Sequence, residues 1–453
     1  MARAITVLDL GFGDAGKGTI VDALTRKTGA RLVVRYSGGP QCAHNVLTDR
    51  GVHHTFAQYG SGALAGAQTL LTKDVLVDPL RLVSERAVLA PKTSYDRRVL
   101  RPYIHEDCLV VTPFHGALNR LRELSRGLGR HGSCGIGVGE TVRYAIEEKT
   151  LRGGQPLTMG LLEQHKGETA LWRTQQDMAP QAAALWEDIE PEFRTPEAAR
   201  DLSLFTNEWA VGGMLRRYDE VMEGFQCVSE SDTLHLISSQ DTIWEGAQGV
   251  LLDEDYGFHP YTTWSRVTLR NATETLAAAG VTDVTNIGVL RTYGCRHGAG
   301  PFPSEDGEVG KLVAEQHNAY SPWQHRFRTG WFDMVLARYA LTVASGTQKA
   351  IHWMKTPIHQ LALTHLDVLD KRMNWPIVMG YPLELEGNIP SPEDFSKRER
   401  LTSALMDVGD WNRVCTTVAA GLVPQFISQQ LGLPRAISSF GPKTGDKIFH
   451  LSA

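Results

Sequence analysis

The sequence predicts an α/β protein: a large, mostly parallel central sheet with flanking helices, a helical subdomain, and a P-loop-like phosphate loop after the first strand. Short apolar runs, among them "ITVLDL", "ARLVVRYSGG" and "VTNIGVLRTYG", each lead into a turn or a glycine. Strands that are apolar throughout, without alternation, belong to parallel sheets covered on both faces. "GFGDAGKGT", residues 11–19, follows the first such run and precedes a segment with helical spacing. Between about Glu140 and Glu230 the composition shifts to Ala, Leu, Glu and Arg with helical periodicity, which predicts a layer of helices.

Along the chain, "ITVLDL" is a short β-branched strand, and "TIVDALTRK" carries Ile20, Val21 and Leu24 at helical spacing. "ARLVVRYSGG" is a second strand, and "HLISSQDTIWEGAQGVLLDED", "VTNIGVLRTYG" and "QLALTHLDVLD" repeat the strand-then-loop pattern. "PQAAALWEDIEPEF" and "TPEAARDLSLFTNEWAVGGMLRRYDEVMEGF" are the helical stretches. The Pro-rich "NWPIVMGYPLELEGNIPSPEDFS" reads as loops with a β excursion near the surface. No flexible linker, repeat or low-complexity tract divides the chain, so residues 1–453 are expected to form one domain, with the helical subdomain at about 140–230.

An apolar fraction of 42% and a charged fraction of 21% are those of a folded protein with a sizeable core. The net charge of −5 and the absence of long Lys/Arg runs exclude a broad electrostatic footprint for nucleic acid or an anionic membrane. Any anionic ligand is therefore held locally. No apolar run approaches the ~18 residues that cross a bilayer, and no signal-like segment opens the chain, so the expected location is cytoplasmic. The six cysteines form no C-x-x-C pair and the sixteen histidines no metal-ligand spacing, so neither a disulfide framework nor a structural transition-metal site is expected.

Backbone N–H groups of a glycine-rich turn and of the helix after it cradle phosphate, and Lys17 adds a point charge. A Walker A loop places Ser or Thr directly after its Lys to hold magnesium. Here Gly18 follows Lys17, so the metal ligand comes from elsewhere. Asp14 stands in the middle of the loop, where a bare carboxylate would repel phosphate. Two functional readings remove the conflict: Asp14 shares a magnesium ion with the phosphate, or it acts as a base on an acidic ring N–H beside it. A third makes it the cap of the next helix. In "YSGGPQCAHNV", His44 lies in a tight turn after a strand, where α/β sheets bind ligands, and is a catalytic candidate as well as an ordinary structural histidine. "THLDVLD" ends in Asp367 and Asp370. A carboxylate there accepts paired hydrogen bonds from the N1–H and 2-amino group of guanine, or caps a helix. "EGAQG", "HGAGPFPSE" and "RFRTGW" are loops of the kind that line a substrate cleft.

Jointly these stretches resemble the adenylosuccinate synthetase family, which joins aspartate to inosine monophosphate (IMP) using GTP. "GDAGKG", "VVRYSGG", "AHN", "GIG", "EGAQGVLLD", "HPYTT", "RHGAGPFPSE", "RTGWFD", "LDVLD" and "SFGPKTGDK" occur in the family's order from residue 13 to 447. The resemblance implies that Asp14 is the catalytic base and His44 the catalytic acid, with magnesium at Asp14 and Ala43. It implies that Gly13, Ala15, Gly16, Lys17, Gly18, Thr19, His365, Asp367, Ser439 and Gly441 bind the phosphate-donor nucleotide, GTP or ATP. Gln41, Gln248, Thr263, Arg326, Arg328 and Thr329 fall at positions that contact the purine nucleotide and L-aspartate. A homodimer is likewise implied.

The chain also departs from the family pattern. "GDEGKGK" is "GDAGKGT" here, and "GGHNAGHT" is "GGPQCAHN", with Pro40, Gln41 and Ala43 around His44. His365 replaces the lysine that reads guanine. In "SPWQHRFRTGW", His325 and Phe327 stand where arginines serve the aspartate carboxylates and the nucleotide. Ile146, with Arg143 nearby, aligns with the arginine lent by a partner subunit. Because the acid–base pair is kept, the expectation is the same reaction class, an NTP- and Mg-dependent C–N ligase acting on IMP or a close analogue. Alternatives are the same reaction on GMP or dGMP, a kinase or NTPase, and a non-catalytic nucleotide-binding regulator. The guanine-using branch tends to carry serine where Asp14 stands, so this chain sides with the IMP enzymes there.

Overall fold

The structure, a computed structural model, describes residues 2–93, 97–313, 323, 326–346, 356–385, 387 and 389–450. The central sheet comprises β1 (Arg3–Asp9), β2 (Leu32–Arg35), β3 (Gln68–Leu71), β4 (Tyr103–His105), β5 (Gln226–Val228), β6 (Thr242–Glu245), β7 (Asp283–Arg291), β8 (Gln360–Thr364), β9 (Arg435–Ser439) and β10 (Lys447–Phe449). Across the sheet they run β10-β9-β8-β7-β1-β6-β2-β3-β4-β5. Every neighbouring pair is parallel except β9–β10. The mostly parallel α/β sheet expected from the apolar runs is therefore present. Ala4, Ile5, Val7 and Leu8 of β1 are all buried, on both faces of the strand, because helices cover the sheet on both sides.

β1 lies between β6 and β7, with β2 beyond β6, so the connections that leave its two sides diverge at its carboxyl end. That divergence opens a crevice where α/β sheets bind ligands. The loop 10–16 fills the mouth of the crevice and leads into helix α1 (Lys17–Thr28). Several of the expected strands are shorter than the quoted segments. In "HLISSQDTIWE" the first residues close a helix, Glu230–Ser238, and only Thr242–Glu245 joins the sheet.

From Val138 to Met222 the chain forms the helices Val138–Leu151, Met159–Glu163, Gly167–Asp188, Pro196–Ser203 and Ala210–Met222. Residues from these helices share one apolar cluster with the helix Pro113–Ser125 and with β3 and β4, including Leu118, Leu171, Met214 and Ile104. The Pro-rich stretch expected near the surface is in part a core strand. Asn374–Gly380 pairs with Val414–Ala419 and with Phe332–Asp333, and its Trp375, Ile377 and Val378 are fully buried. Alternation of Trp375 and Ile377 with Pro376 carries the strand signal there.

Candidate active site

The phosphate loop is held from below by Asp9, the last residue of β1. Its buried carboxylate accepts hydrogen bonds from the backbone N–H of Gly11 and of Ala15, each at 2.8 Å, and lies 3.2 Å from Lys17 Nζ. Lys17, itself buried, also donates to the carbonyl of Gln248. Helix α1 starts on Gly16 in the left-handed region (φ 92°) with no side-chain cap. Asp14 is therefore not a helix cap, which removes the structural reading. Its own backbone is left-handed (φ 60°), its carbonyl accepts from Arg291 Nε at 2.7 Å, and its carboxylate is partly open to the cavity above the loop.

Gly18 is forced by packing. A Cβ at this position would lie 2.8 Å from the Cβ of His44, on the strand His44–Leu47 that crosses the start of α1. The Ser or Thr of a Walker A loop has no room here, because His44 occupies its place. Gly249 plays the same part on the other side: an added Cβ would meet the Gly11 carbonyl at 2.2 Å. The loop 245–249 thus rests directly on the phosphate loop.

His44 is 8% exposed and its Nδ1 lies 2.6 Å from Glu245 Oε1. Glu245, at the end of β6, also accepts from the Ser61 N–H at 2.9 Å and from the Ser61 hydroxyl. Burial by itself would raise the Glu245 carboxyl, but His44, Arg35 and Ser61 outweigh it and hold the pKa at about 2. Burial also lowers His44 below the ordinary imidazole value, against the pull of Glu245. The result is a carboxylate that accepts the Nδ1 proton and leaves Nε2 as the ring atom for a ligand.

A cavity of about 1100 Å³ joins these groups. Gly13, Asp14, Gly16, Lys17, Gly18, Thr19, Gln41, Ala43, His44, Gln248, Thr263, His365, Asp367, Ser439 and Gly441 all line it, so the structure brings together most positions singled out from sequence. Both amide atoms of Gln41 and Oε1 of Gln248 are buried without a hydrogen-bond partner. Unpaired buried amides are costly, and in a cavity wall they are groups to be completed by a ligand. Asp14, Gln248 and His365 are non-glycine residues with positive φ, at 60°, 43° and 57°, and strained backbone of this kind gathers at binding sites. Asp367 is solvent-exposed on the cavity wall, in a 3-10 turn that has no side-chain cap, so it is not serving as a helix cap either. Partial desolvation by its surroundings raises its carboxyl above the ordinary value.

Four positions behave differently from expectation. Ala15 is buried and spends its N–H on Asp9, leaving no amide for phosphate. Arg328 does not line the cavity; it forks onto Glu305 (2.9 Å from Nε, 2.5 Å from Nη2) and donates to the carbonyls of Gly298 and Gly300. Arg326 is 80% exposed, 4.0 Å from the same Glu305, and Thr329 pairs with Cys295 in the hairpin Gly294–His297/Phe327–Gly330. Glu305 and the 298–300 carbonyls thus hold Arg328 outside the crevice. His325 lies outside the described residues. Sequence reasoning missed Asp9, Ser61 and Glu245 as individual side chains. Glu245 opens the quoted "EGAQG", so the loop was noted but its carboxylate was not.

A family model described as adenylosuccinate synthetase matches residues 6–448. The chain belongs to the adenylosuccinate synthetase family. It is an enzyme, a ligase of the type that forms a C–N bond. The adenylosuccinate synthetase of Pseudomonas fluorescens (strain Pf0-1) is 29% identical over 463 residues, covering 99% of this chain and 98% of the relative. That of Vibrio vulnificus (strain YJ016) is 30% identical over 488 residues, with the same coverage. Among solved structures, the fully ligated adenylosuccinate synthetase from Plasmodium falciparum is similar with a TM-score of 0.70 at 18% identity, covering 99% of this chain and 100% of that one. The cyanophage S-2L succinoaminodeoxyadenylate synthetase (PurZ), bound to dGMP and dATP, is similar with a TM-score of 0.55 at 14% identity, covering 100% and 96%. Both structural likenesses establish the adenylosuccinate synthetase fold.

Proposed function

We propose that this adenylosuccinate synthetase-type ligase transfers the γ-phosphoryl group of GTP to O6 of a 6-oxopurine nucleotide, IMP or a close analogue, and then displaces that phosphate with L-aspartate. The observation that carries this reading is the convergence of Asp14, His44, the partnerless amide of Gln41 and the partnerless Oε1 of Gln248 on one cavity. Asp14 takes the N1 proton as the O6–phosphorus bond forms and the donor's bridging bond breaks. His44, held by Glu245, turns Nε2 toward the bridging oxygen on which charge develops. The aspartate amine attacks C6, the C6–O bond breaks and phosphate leaves with its electron pair, and the nitrogen then releases its proton. Positioning and charge neutralisation supply most of the catalysis in such a transfer.

The residues also fit magnesium. Asp14 offers one carboxylate, Ala43 a carbonyl oxygen, and Gly18 nothing, so the remaining ligands are phosphate oxygens and water, as magnesium usually prefers. When bound, the ion would neutralise phosphate charge. Asp367 lines the cavity, and a carboxylate there would accept paired hydrogen bonds from a guanine edge, which supports GTP over ATP as the donor. We further expect a homodimer, measured by sedimentation, and a cytoplasmic location. Among the described residues no helix is long and apolar enough to cross a membrane.

The test is a mass-spectrometric product scan with magnesium, aspartate, GTP or ATP, and IMP, GMP, dIMP or dGMP in separate reactions, with Asp14→Asn as control. A succinyl adduct of IMP that disappears in the variant supports the proposal. An adduct only with GMP or dGMP would replace IMP by a 2-aminopurine, and phosphate release without an adduct would make the protein a kinase or NTPase.

A further inference from the structure

The side of the phosphate loop that faces away from α1 is clasped by the hairpin Gly294–His297/Phe327–Gly330. Cys295 Sγ donates to the carbonyl of Gly13 at 3.6 Å, and His297 Nε2 lies 3.5 Å from Asp14 Oδ2. Among the described residues no other basic side chain lies within 4 Å of this carboxylate. His297 is opposite Phe327 in the hairpin register, and the two rings meet edge to face with centroids 4.8 Å apart. Asp14 and His297 both line the cavity. Since Asp14 is in a left-handed turn, no helix or strand sets the direction of its side chain, and a carboxylate has several staggered rotamers to choose from.

We propose that His297 is a positioning residue for the reaction: it holds the Asp14 carboxylate toward the acceptor, and Phe327 holds His297. This rests on the reading of Asp14 as the base. A base acts only when its oxygen is within hydrogen-bond reach of the proton it removes, and a misplacement of about 1 Å costs on the order of 100-fold in rate. Phe327 then has a function of its own in a loop otherwise marked by the loss of arginines: it ties the base to the hairpin.

The test compares wild type, His297→Val, His297→Gln, Phe327→Leu, Asp14→Asn and the double variant Asp14→Asn/His297→Val, with whichever acceptor the wild type uses. His297→Val is expected to lose roughly 10- to 100-fold in kcat, with acceptor KM within about threefold. Its melting temperature, by calorimetry, is expected to match wild type. His297→Gln, which keeps an N–H donor, is expected to recover most of kcat, and Phe327→Leu to lose about threefold. The double variant should be no slower than Asp14→Asn alone, because both changes remove one function. Wild-type kcat in His297→Val, or losses that multiply in the double variant, would overturn the proposal. If His297→Val fails to fold, the Gln and Leu variants decide between the same outcomes. A wild type that makes no adduct, or an Asp14→Asn variant as fast as wild type, would instead remove the reading of Asp14 on which the proposal rests.

Discussion

Replacing Glu245 with glutamine tests the acid–base pair without changing its shape. Glu245 is fully buried and accepts from His44 Nδ1 (2.6 Å), the Ser61 N–H (2.9 Å) and the Ser61 hydroxyl. A glutamine amide has one accepting end, so its NH2 must face either His44 or the Ser61 N–H. A carboxyl held at about 2 against an ordinary 4.5 corresponds to roughly 3 kcal/mol of favourable interaction in the folded state. Because the folded pKa is the lower one, this stability is present above pH ~4.5 and is lost as pH falls toward ~2. The variant should therefore melt several degrees lower at pH 7, with the gap narrowing below pH 4.5. Loss of a hydrogen bond to a charged group, about 1.5–3 kcal/mol, converts to a fall in kcat of roughly 10- to 150-fold if His44 acts only when held by it. The assay is steady-state product formation beside circular-dichroism melts at pH 7 and pH 4. A kcat within threefold of wild type, with KM unchanged, would refute the role given to the pair.

Gly18→Ser, which restores the Walker A residue, is expected to lower activity, since its Cβ would fall 2.8 Å from the His44 Cβ; overpacking of this kind costs about 1–3 kcal/mol, read from the melting temperature. Arg328→Ala is expected to lose about 1–2 kcal/mol of stability through Glu305 and the 298–300 carbonyls, measured by denaturant titration, and a changed aspartate KM at unchanged stability would restore Arg328 to the substrate. Burial pushes Asp333 up to about 7, above its unfolded value, so its contribution is present at pH 4 and lost as pH rises through 7. Asp333→Asn, which keeps the cap on the Leu336 N–H, should gain about 1 kcal/mol or more over wild type at pH 8 and no advantage at pH 4.

The parts of the site legible in the sequence are those whose chemistry is local. The glycine turn around Asp14 and Lys17, the turn carrying His44 and the strand end at Asp367 each announce themselves within ten residues, and all three line the cavity. Glu245 was not legible, because its meaning depends on β6 lying beside β2, which brings residue 245 against residue 44. Arg328 misled for the opposite reason: an arginine in a Gly-bounded loop reads as a ligand, and only the fold reveals Glu305 within reach. Gly18 was read as a missing ligand, whereas the contact that forces it comes from a strand that begins 26 positions later.

The place of β1 in the sheet governs when the catalytic loop can exist at all. Its two neighbours, Thr242–Glu245 and Asp283–Arg291, lie more than 230 residues downstream. At a synthesis rate of about 5–20 residues per second, the strand that ends in the phosphate loop waits roughly 12 to 60 s for partners. Until then β1 is an apolar segment with two open edges, and the loop has no floor to rest on. A nascent chain halted near residue 240 should thus be unable to retain nucleotide, while one extended past residue 291 has the whole centre of the sheet available.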